Sequence, residues 1–365
     1  MKILFIAPRF HTNLYFRVKA LKDGGHDVYF FSLYKQNSEA YDILEPVVLQ
    51  SSKWNKIFPK AEKLLKKGKN FWKIKANFPV RKDLRKKIKE INPEVVIIKN
   101  LQGILSLYSL WYARKFTDKV FLLIQTDKHH IKSKKKKFIV WVLKKFFKVK
   151  NIISPLKNIL DQKDDFFQFV PFVVEAKDFN KEYFQGDRIN ILSIGKFMKR
   201  KDHLSLLKAV DMLKDKYKVS VTIVGEKTED KTWLELKEYI KKNNLEKTVN
   251  VISNINYLEM NSIYSKNDLF VLPSYDEPAA YSPVEAMAAK LPVICSDTCG
   301  TKCYIEEGGN GYIFKSKDYN DLADKIEKVI EDKNKLIKMG EKSFNKARQE
   351  HNKNIFLNFL NGKIL

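Results

Sequence analysis

Cysteine is nearly absent: three residues in 365, Cys295, Cys299 and Cys303. They recur at intervals of four with no histidine nearby, a spacing that matches neither paired zinc ligands nor a disulfide framework. They read as small buried or partly buried thiols. The turn after the first predicted strand, Pro8-Arg9-Phe10-His11-Thr12-Asn13, contains no glycine. A dinucleotide fingerprint needs glycines there so that backbone can approach a pyrophosphate, which disfavours a nicotinamide or flavin oxidoreductase. No Gly-rich loop ends in Lys-Ser or Lys-Thr, so a P-loop nucleotidase lacks its cradle. No Asp-x-Asp occurs, so a divalent metal bridging a diphosphate has no evident ligands and no metal site is expected. The longest apolar stretches, Leu101 to Tyr112 and Phe138 to Leu143, fall short of the roughly 18 to 20 residues that cross a bilayer. The first residues, Met1-Lys2-Ile3-Leu4-Phe5-Ile6-Ala7-Pro8, run into a strand pattern without the apolar region and small-residue cleavage site of a signal peptide. A cytoplasmic protein is expected.

Acidic residues are scarce in one half only. Residues 1–180 hold 38 Lys+Arg against 16 Asp+Glu, a net +22, whereas the other 185 hold 31 against 27, a net +4. Such asymmetry places a positive field over one region and draws phosphate, nucleic acid or anionic lipid. The excess sits in Lys53 to Lys89 and Lys128 to Lys150. Within the latter, Phe138, Trp141 and Val142 are interleaved with lysines, as in interfacial helices. A core helix with lysines outside gives the same pattern. An anionic membrane surface is the expected partner, which makes the protein peripheral on the inner face of the plasma membrane. Nucleic acid is the rival, without a binding motif to support it.

Length suits two domains. Strand-like runs at Ile3 to Ala7, His26 to Ser32, Glu94 to Ile98, Val120 to Gln125 and Asn151 to Ser154 alternate with helical patterns. The alternation restarts at Asn190 to Ile194 and continues through Val219 to Val224, Val249 to Ile252, Leu269 to Leu272, Pro292 to Cys295 and Gly311 to Phe314. Alternation of this kind implies βαβ units and parallel sheets. The fold class is α/β, two doubly wound Rossmann-like domains facing an interdomain cleft. The expected boundaries are 1–172 and 173–349, with a C-terminal helix over about 350–365 packing back on the first domain. Ligands of open α/β sheets collect at the carboxyl ends of strands.

The most informative segment runs from Leu272 to Ile294. A buried strand ends at Pro273, and Ser282-Pro283-Val284-Glu285 reads as a helix start with Ser282 at N-cap, Pro283 at N1 and Glu285 at N3. Backbone N–H groups of Ala279, Ala280, Tyr281 and Ser282 precede or open that helix, an arrangement suited to phosphate. Taken alone, Glu285 could simply close a capping box and Glu277 be a solvated loop carboxylate.

Glu277 and Glu285, seven residues apart and followed by Ala286-Met287-Ala288-Ala289-Lys290-Leu291-Pro292-Val293-Ile294, resemble the E-x7-E signature of the family 4 retaining glycosyltransferases (glycosyltransferase group 1), which have the GT-B fold. The resemblance implies that Glu277 contacts the donor sugar near its reacting face and Glu285 the nucleotide ribose. Ser193-Ile194-Gly195-Lys196-Phe197-Met198-Lys199-Arg200-Lys201 is similar to the family's diphosphate-contacting loop, with Lys196 and Lys201 in the two basic places. Fixed cations there would stabilise charge developing on a departing nucleoside diphosphate. Lys199 and Arg200 read as solvated surface. Gly225 follows a strand as in the family, and Ile252 lies where relatives pack the base.

This chain departs from the family pattern at Pro278-Ala279-Ala280, where many relatives have Gly-Phe-Gly, and around residue 10, where a glycine-rich loop is missing. The histidine common in relatives after the fourth strand has no clean counterpart, since Val120 to Asp127 ends in Gln125-Thr126-Asp127. Acceptor-side candidates are His11, Asn13, Asp127 and His129, with His130 beside them. The resemblance implies a retaining hexosyltransferase that moves a sugar from a nucleoside diphosphate sugar to a hydroxyl of a lipid-linked or cell-surface glycan precursor. It implies no cofactor beyond that co-substrate. A GT-B phosphorylase or epimerase, or a non-catalytic nucleotide-binding scaffold, are the alternatives.

Overall fold

Strands such as Val95-Val96-Ile97-Ile98 and Leu269-Phe270-Val271-Leu272 are apolar on both faces and buried throughout. Such strands need cover on both sides, which parallel sheets obtain from crossover helices. Each buried Ile, Leu, Val or Phe contributes about 1.5–3 kcal/mol of transfer free energy. The computed structural model describes residues 1–36, 39–52, 79–101, 103–125, 138–157, 165–228 and 231–364. The chain divides into two units, Met1–Pro171 with Lys353–Leu365, and Phe172–Asn352.

In the first unit the elements are β1 (Lys2–Ile6), α1 (Thr12–Asp23), β2 (Asp27–Ser32), β3 (Val47–Val48), α2 (Arg81–Ile91), β4 (Val95–Lys99), α3 (Ile104–Ala113), β5 (Val120–Leu123), β6 (Val149–Ser154) and β7 (Phe167–Phe169). All pairings are parallel, in the order β3-β2-β1-β4-β5-β6-β7. The sequence does not announce β3 and β7. Both are edge strands of two or three residues, too short to show a period. The second unit comprises β8 (Ile189–Ile194), α4 (His203–Leu213), β9 (Val219–Gly225), α5 (Thr232–Lys242), β10 (Val249–Ser253), α6 (Met260–Ser265), β11 (Leu269–Leu272), α7 (Ser282–Ala288), β12 (Val293–Ser296), β13 (Gly311–Phe314), α8 (Tyr319–Ile330) and α9 (Lys333–Glu350). Its sheet is parallel throughout, in the order β10-β9-β8-β11-β12-β13. The order reverses between β8 and β11, the switch point at which doubly wound sheets bind ligands.

The last helix, α10 (Lys353–Ile364), belongs to the first unit. Phe359 meets Phe121 edge-on, and Lys353 pairs with Asp23 of α1. Arg17 of α1 lies over the Phe356 ring and donates to the carbonyls of Val170 and Pro171, 2.8 Å each. Asp318 and Asp332 cap α8 and α9 by accepting from backbone N–H groups in the first turn, each worth about 1 kcal/mol. Cys295 and Cys299 are buried and Cys303 partly so.

Of the two basic segments, residues 53–78 and 126–137 lie outside the described residues. In the remainder of the second the bulky side chains divide between core and surface. Phe138 and Trp141 are 65% and 56% exposed, while Leu143 is buried and Ile139 and Val140 pack partly buried against the core. Among the described residues no helix is long and apolar enough to cross a membrane.

Candidate active site

The loops after β8 and β9 are held together by backbone. Gly195 N–H donates to Val224 O at 2.9 Å and Phe197 N–H to Glu226 O at 3.0 Å. A Cβ at Gly225 would sit 2.2 Å from the Gly195 carbonyl oxygen, so only glycine allows this approach. The Phe197 ring is fully buried between His203 and Trp233. His203, also buried, places Nε2 3.1 Å from Gly195 O and Nδ1 3.2 Å from Ser193 Oγ. Burial pushes its pKa down to about 4. The ring is therefore neutral at pH 7, donating from Nε2 and accepting the serine hydroxyl at Nδ1.

Past this anchored loop, Lys199–Lys201 forms a 3-10 turn. The Lys201 stem lies across Gly195, whose missing Cβ would come within 2.9 Å of it. On the other side of the switch point, the loop after β11 is tied in by Tyr275 N–H to Arg200 O at 3.0 Å, and Asp276 adopts a left-handed conformation. Glu277 follows, 6% exposed. Its Oε2 accepts from Lys201 Nζ at 2.6 Å and from Arg200 Nη1 at 2.5 Å. Burial by itself raises its pKa, but the Lys201 and Arg200 charges outweigh that and hold the carboxyl below its usual range. The result is an ionised carboxylate clasped by two cations at the strand switch.

Residues 174–346 match the family model of glycosyl transferases group 1. That match takes in nearly all of the second unit. The capsular polysaccharide biosynthesis glycosyltransferase CapM of Staphylococcus aureus is 26% identical over 168 residues, 45% of this chain and 43% of CapM. The chain spans less than half the length of the first curated relatives it matches. Among solved structures, sucrose-phosphate synthase from Thermosynechococcus elongatus superposes with a TM-score of 0.73 at 17% identity, covering 98% of this chain and 97% of that one. Anabaena HepE in complex with UDP and glucose gives 0.72 at 14% identity, covering 99% of each. At such identities the likeness is one of fold: two parallel Rossmann-like sheets of the GT-B class.

Within the second unit the structure brings Glu277 and Lys201 into contact and adds Arg200, which the sequence reading assigned to solvated surface. That assignment fails because the 3-10 turn delivers two successive basic side chains to one carboxylate. Lys196 goes elsewhere, pairing with Glu226 at 2.6 Å on the loop after β9. Gly195, Gly225 and Ile252 end neighbouring strands, with Ile252 opposite Val224 and Ser253 opposite Gly225.

The capping box expected at Ser282 does not form. Tyr281 takes the N-cap position with helical dihedrals and no side-chain cap, Ser282 is already helical and Pro283 falls within the first turn. The Tyr281 hydroxyl donates to Val173 O at 2.6 Å, and its ring packs on Phe172. The Glu285 carboxyl, instead of reaching back to the helix start, accepts from the hydroxyls of Tyr264, at 2.9 Å, and Tyr257. Burial raises its pKa to about 7 against those two donors. Ala280 is buried and Ala279 partly so. Among the described residues Glu277 and Glu285 share no hydrogen-bond partner, and the two tyrosines carry no sequence signal that would have tied them to Glu285.

In the first unit, His11 Nδ1 caps α1 by accepting from Asn13 N–H at 3.3 Å. Asn13 is buried, bonded to Lys99 and Gln125. Asp127, His129 and His130 lie outside the described residues. Among the described residues no three His, Cys, Asp or Glu side chains gather as a metal centre.

Proposed function

We propose that the protein is a retaining glycosyltransferase that passes a hexosyl group from a nucleoside diphosphate sugar to an acceptor hydroxyl, in the building of a lipid-linked or cell-surface glycan. One observation carries this reading: the Glu277 carboxylate held between Lys201 and Arg200 at the strand switch. A diphosphate arriving there meets two cations whose single carboxylate partner can turn to the sugar. As the bond from the anomeric carbon to the phosphate oxygen breaks, Lys201 and Arg200 offset the charge gathering on the leaving group. The new bond forms on the same face, and the acceptor proton passes to the leaving phosphate. Lys196 stands earlier on the same loop as a third cation, paired with Glu226, and Glu285 is assigned the ribose by analogy with the family signature. These cations do the work of a divalent ion in this scheme, so turnover should survive a chelator. Binding of UDP by HepE makes uridine nucleotides the first donors to try.

The first unit suggests where the acceptor resides. Leu107, Trp111, Phe138, Trp141 and Phe146 are all exposed. The rings of Trp111 and Phe146 stand 5.5 Å apart, and Arg114 lies over both, at 4.1 and 4.3 Å. Lys145 and Lys148 are exposed beside them. Aromatic rings to insert, ringed by cations, suit an anionic lipid leaflet, where each cation adds about 1 kcal/mol.

A panel of UDP-, GDP- and ADP-sugars, read by thermal stabilisation and then by proton NMR of the product anomer, tests the enzyme. Stabilisation by a nucleoside diphosphate, lost in Lys201→Ala, with the donor's anomeric configuration kept in the product, is expected. An inverted anomer would remove retention, a requirement for free phosphate would favour a phosphorylase, and binding without turnover a scaffold. Sedimentation with phosphatidylglycerol vesicles, compared with duplex DNA at matched salt, tests the surface. Trp141→Ala should weaken vesicle binding without lowering Tm; preference for DNA would overturn it.

A further inference from the structure

Lys99 ends β4, is 7% exposed, and stands at the carboxyl edge of a parallel sheet. Among the described residues its ammonium has a single hydrogen-bond acceptor, Asn13 Oδ1 at 2.7 Å. Its charged neighbours are Arg9, Arg17 and Glu39. The one carboxylate in that set, Glu39, keeps Oε1 3.2 Å from Arg9 without a hydrogen bond among the described residues, while its Oε2 accepts from the Tyr41 hydroxyl at 2.7 Å. Burial first, then Arg9 and Arg17, pulls the Lys99 pKa down to about 7. A lysine so placed is costly to the fold unless something supplies the missing negative charge.

Two further groups at the same edge are incompletely bonded. Asn13 Nδ2 donates to Gln125 Oε1 at 3.0 Å, which orients the Gln125 amide, yet the buried Gln125 Nε2 finds no acceptor among the described residues. Asn100, next to Lys99 and in a left-handed conformation, buries Oδ1 without a donor among the described residues. Both residues are only partly buried overall, so they mark the solvent side of the cluster. The set therefore offers a cation and an amide donor for oxygens bearing negative charge, and an amide oxygen for a hydroxyl.

We propose that the carboxyl ends of β1, β4 and β5 form a seat for an anionic polyol, Lys99 and Gln125 taking the oxygens of a phosphate or carboxylate and Asn100 a neighbouring hydroxyl. Resting on the transferase reading, this identifies the acceptor class as a sugar or polyol bearing an acid group. The seat itself does not depend on transfer.

The test is isothermal titration of the full chain, without donor, with glucose 6-phosphate, glucuronate and glucose. At least one of the two acids is expected to bind roughly tenfold or more tighter than glucose, as a charge-assisted hydrogen bond allows. Which acid wins distinguishes phosphate from carboxylate. Lys99→Met should abolish the preference and Lys99→Arg keep part of it; Gln125→Leu, less intrusive for folding, should weaken the preferred acid several-fold. Near pH 7.5, binding should take up a proton, seen by repeating the titration in buffers of different ionisation enthalpy, and Lys99→Met should take up none. Equal affinity for acids and glucose, no binding of any probe at millimolar concentration, or a preference and proton uptake unchanged in Lys99→Met would each overturn the seat. Acid binding in a chain that transfers no sugar would leave the seat standing and remove the transferase reading instead.

Discussion

Glu277 in the second unit and Lys99 in the first are both buried at the carboxyl edge of a parallel sheet, yet only one keeps a charge in comfort. Glu277 has Lys201 and Arg200 within 2.6 Å, and their attraction outweighs its loss of water. Among the described residues Lys99 has one amide oxygen as acceptor, two repelling arginines and the weaker attraction of Glu39, so burial dominates. The same contrast recurs inside the E-x7-E pair. Glu277 faces cations and is held low, whereas Glu285 faces only neutral tyrosine hydroxyls and rises to about 7. Topology chooses the edge where a ligand binds, and the partners available there choose the charge state.

Removing the carboxylate where it is satisfied should give the largest effect. Glu277→Gln keeps the shape but leaves Arg200 and Lys201 without their counter-charge, and kcat should fall roughly 100-fold or more, as for loss of a group aimed at the reacting centre. Arg200→Ala, by contrast, should weaken nucleoside diphosphate binding, measured by the shift in Tm at saturating ligand. If Arg200→Ala leaves both binding and turnover at wild-type levels, the sequence reading of Arg200 as idle surface was right after all.

The next effect concerns the two glycines that join the loops. Gly225→Ala drives a methyl against the Gly195 carbonyl at 2.2 Å, backbone that cannot step aside, whereas Gly195→Ala meets only the movable Lys201 stem. Urea denaturation should show Gly225→Ala losing about 1–3 kcal/mol or more, with Gly195→Ala nearer wild type in stability but poorer in diphosphate binding. Equal losses of stability would mean that the loop contact is not as rigid as drawn.

The smallest effect, and the sharpest contrast, is the pH dependence of the two glutamates. Glu285 carries a raised folded pKa, so its contribution is fully present below the unfolded value near 4.3 and is lost as pH rises towards 7. Glu277 carries a lowered one, so its contribution is present above the unfolded value and is lost as pH falls through the folded one. The Tm of Glu285→Gln relative to wild type should therefore climb between about pH 5 and pH 8. That of Glu277→Gln should fall furthest behind wild type at neutral pH and recover in acid. Parallel profiles for the two variants would show that their environments are alike.

Much of the fold is legible in the residues because each long strand is a run of Ile, Leu, Val or Phe bounded by turn residues, and a run of that kind needs no tertiary information to be recognised. The short edge strands β3 and β7 carry too few residues for that signal. At the site, spacing alone picks out Glu277, Glu285 and Lys201, but it cannot say which way a side chain turns. Ser282 has the right identity for a cap, and the chain nevertheless begins the helix a residue earlier, with Glu285 drawn to Tyr257 and Tyr264 from a distant segment.

The amino-acid sequence by itself determined the two α/β units, the glycine-lined loops and the asymmetry of charge, since these follow from local pattern and composition. Only the tertiary structure decided that Arg200 joins Lys201 on Glu277, that Lys196 turns to Glu226, and that Lys99 is left buried with a single amide oxygen. Those outcomes depend on contacts between residues tens of positions apart, where distance and desolvation, which no one-dimensional pattern contains, set whether a charge is stabilised or stranded.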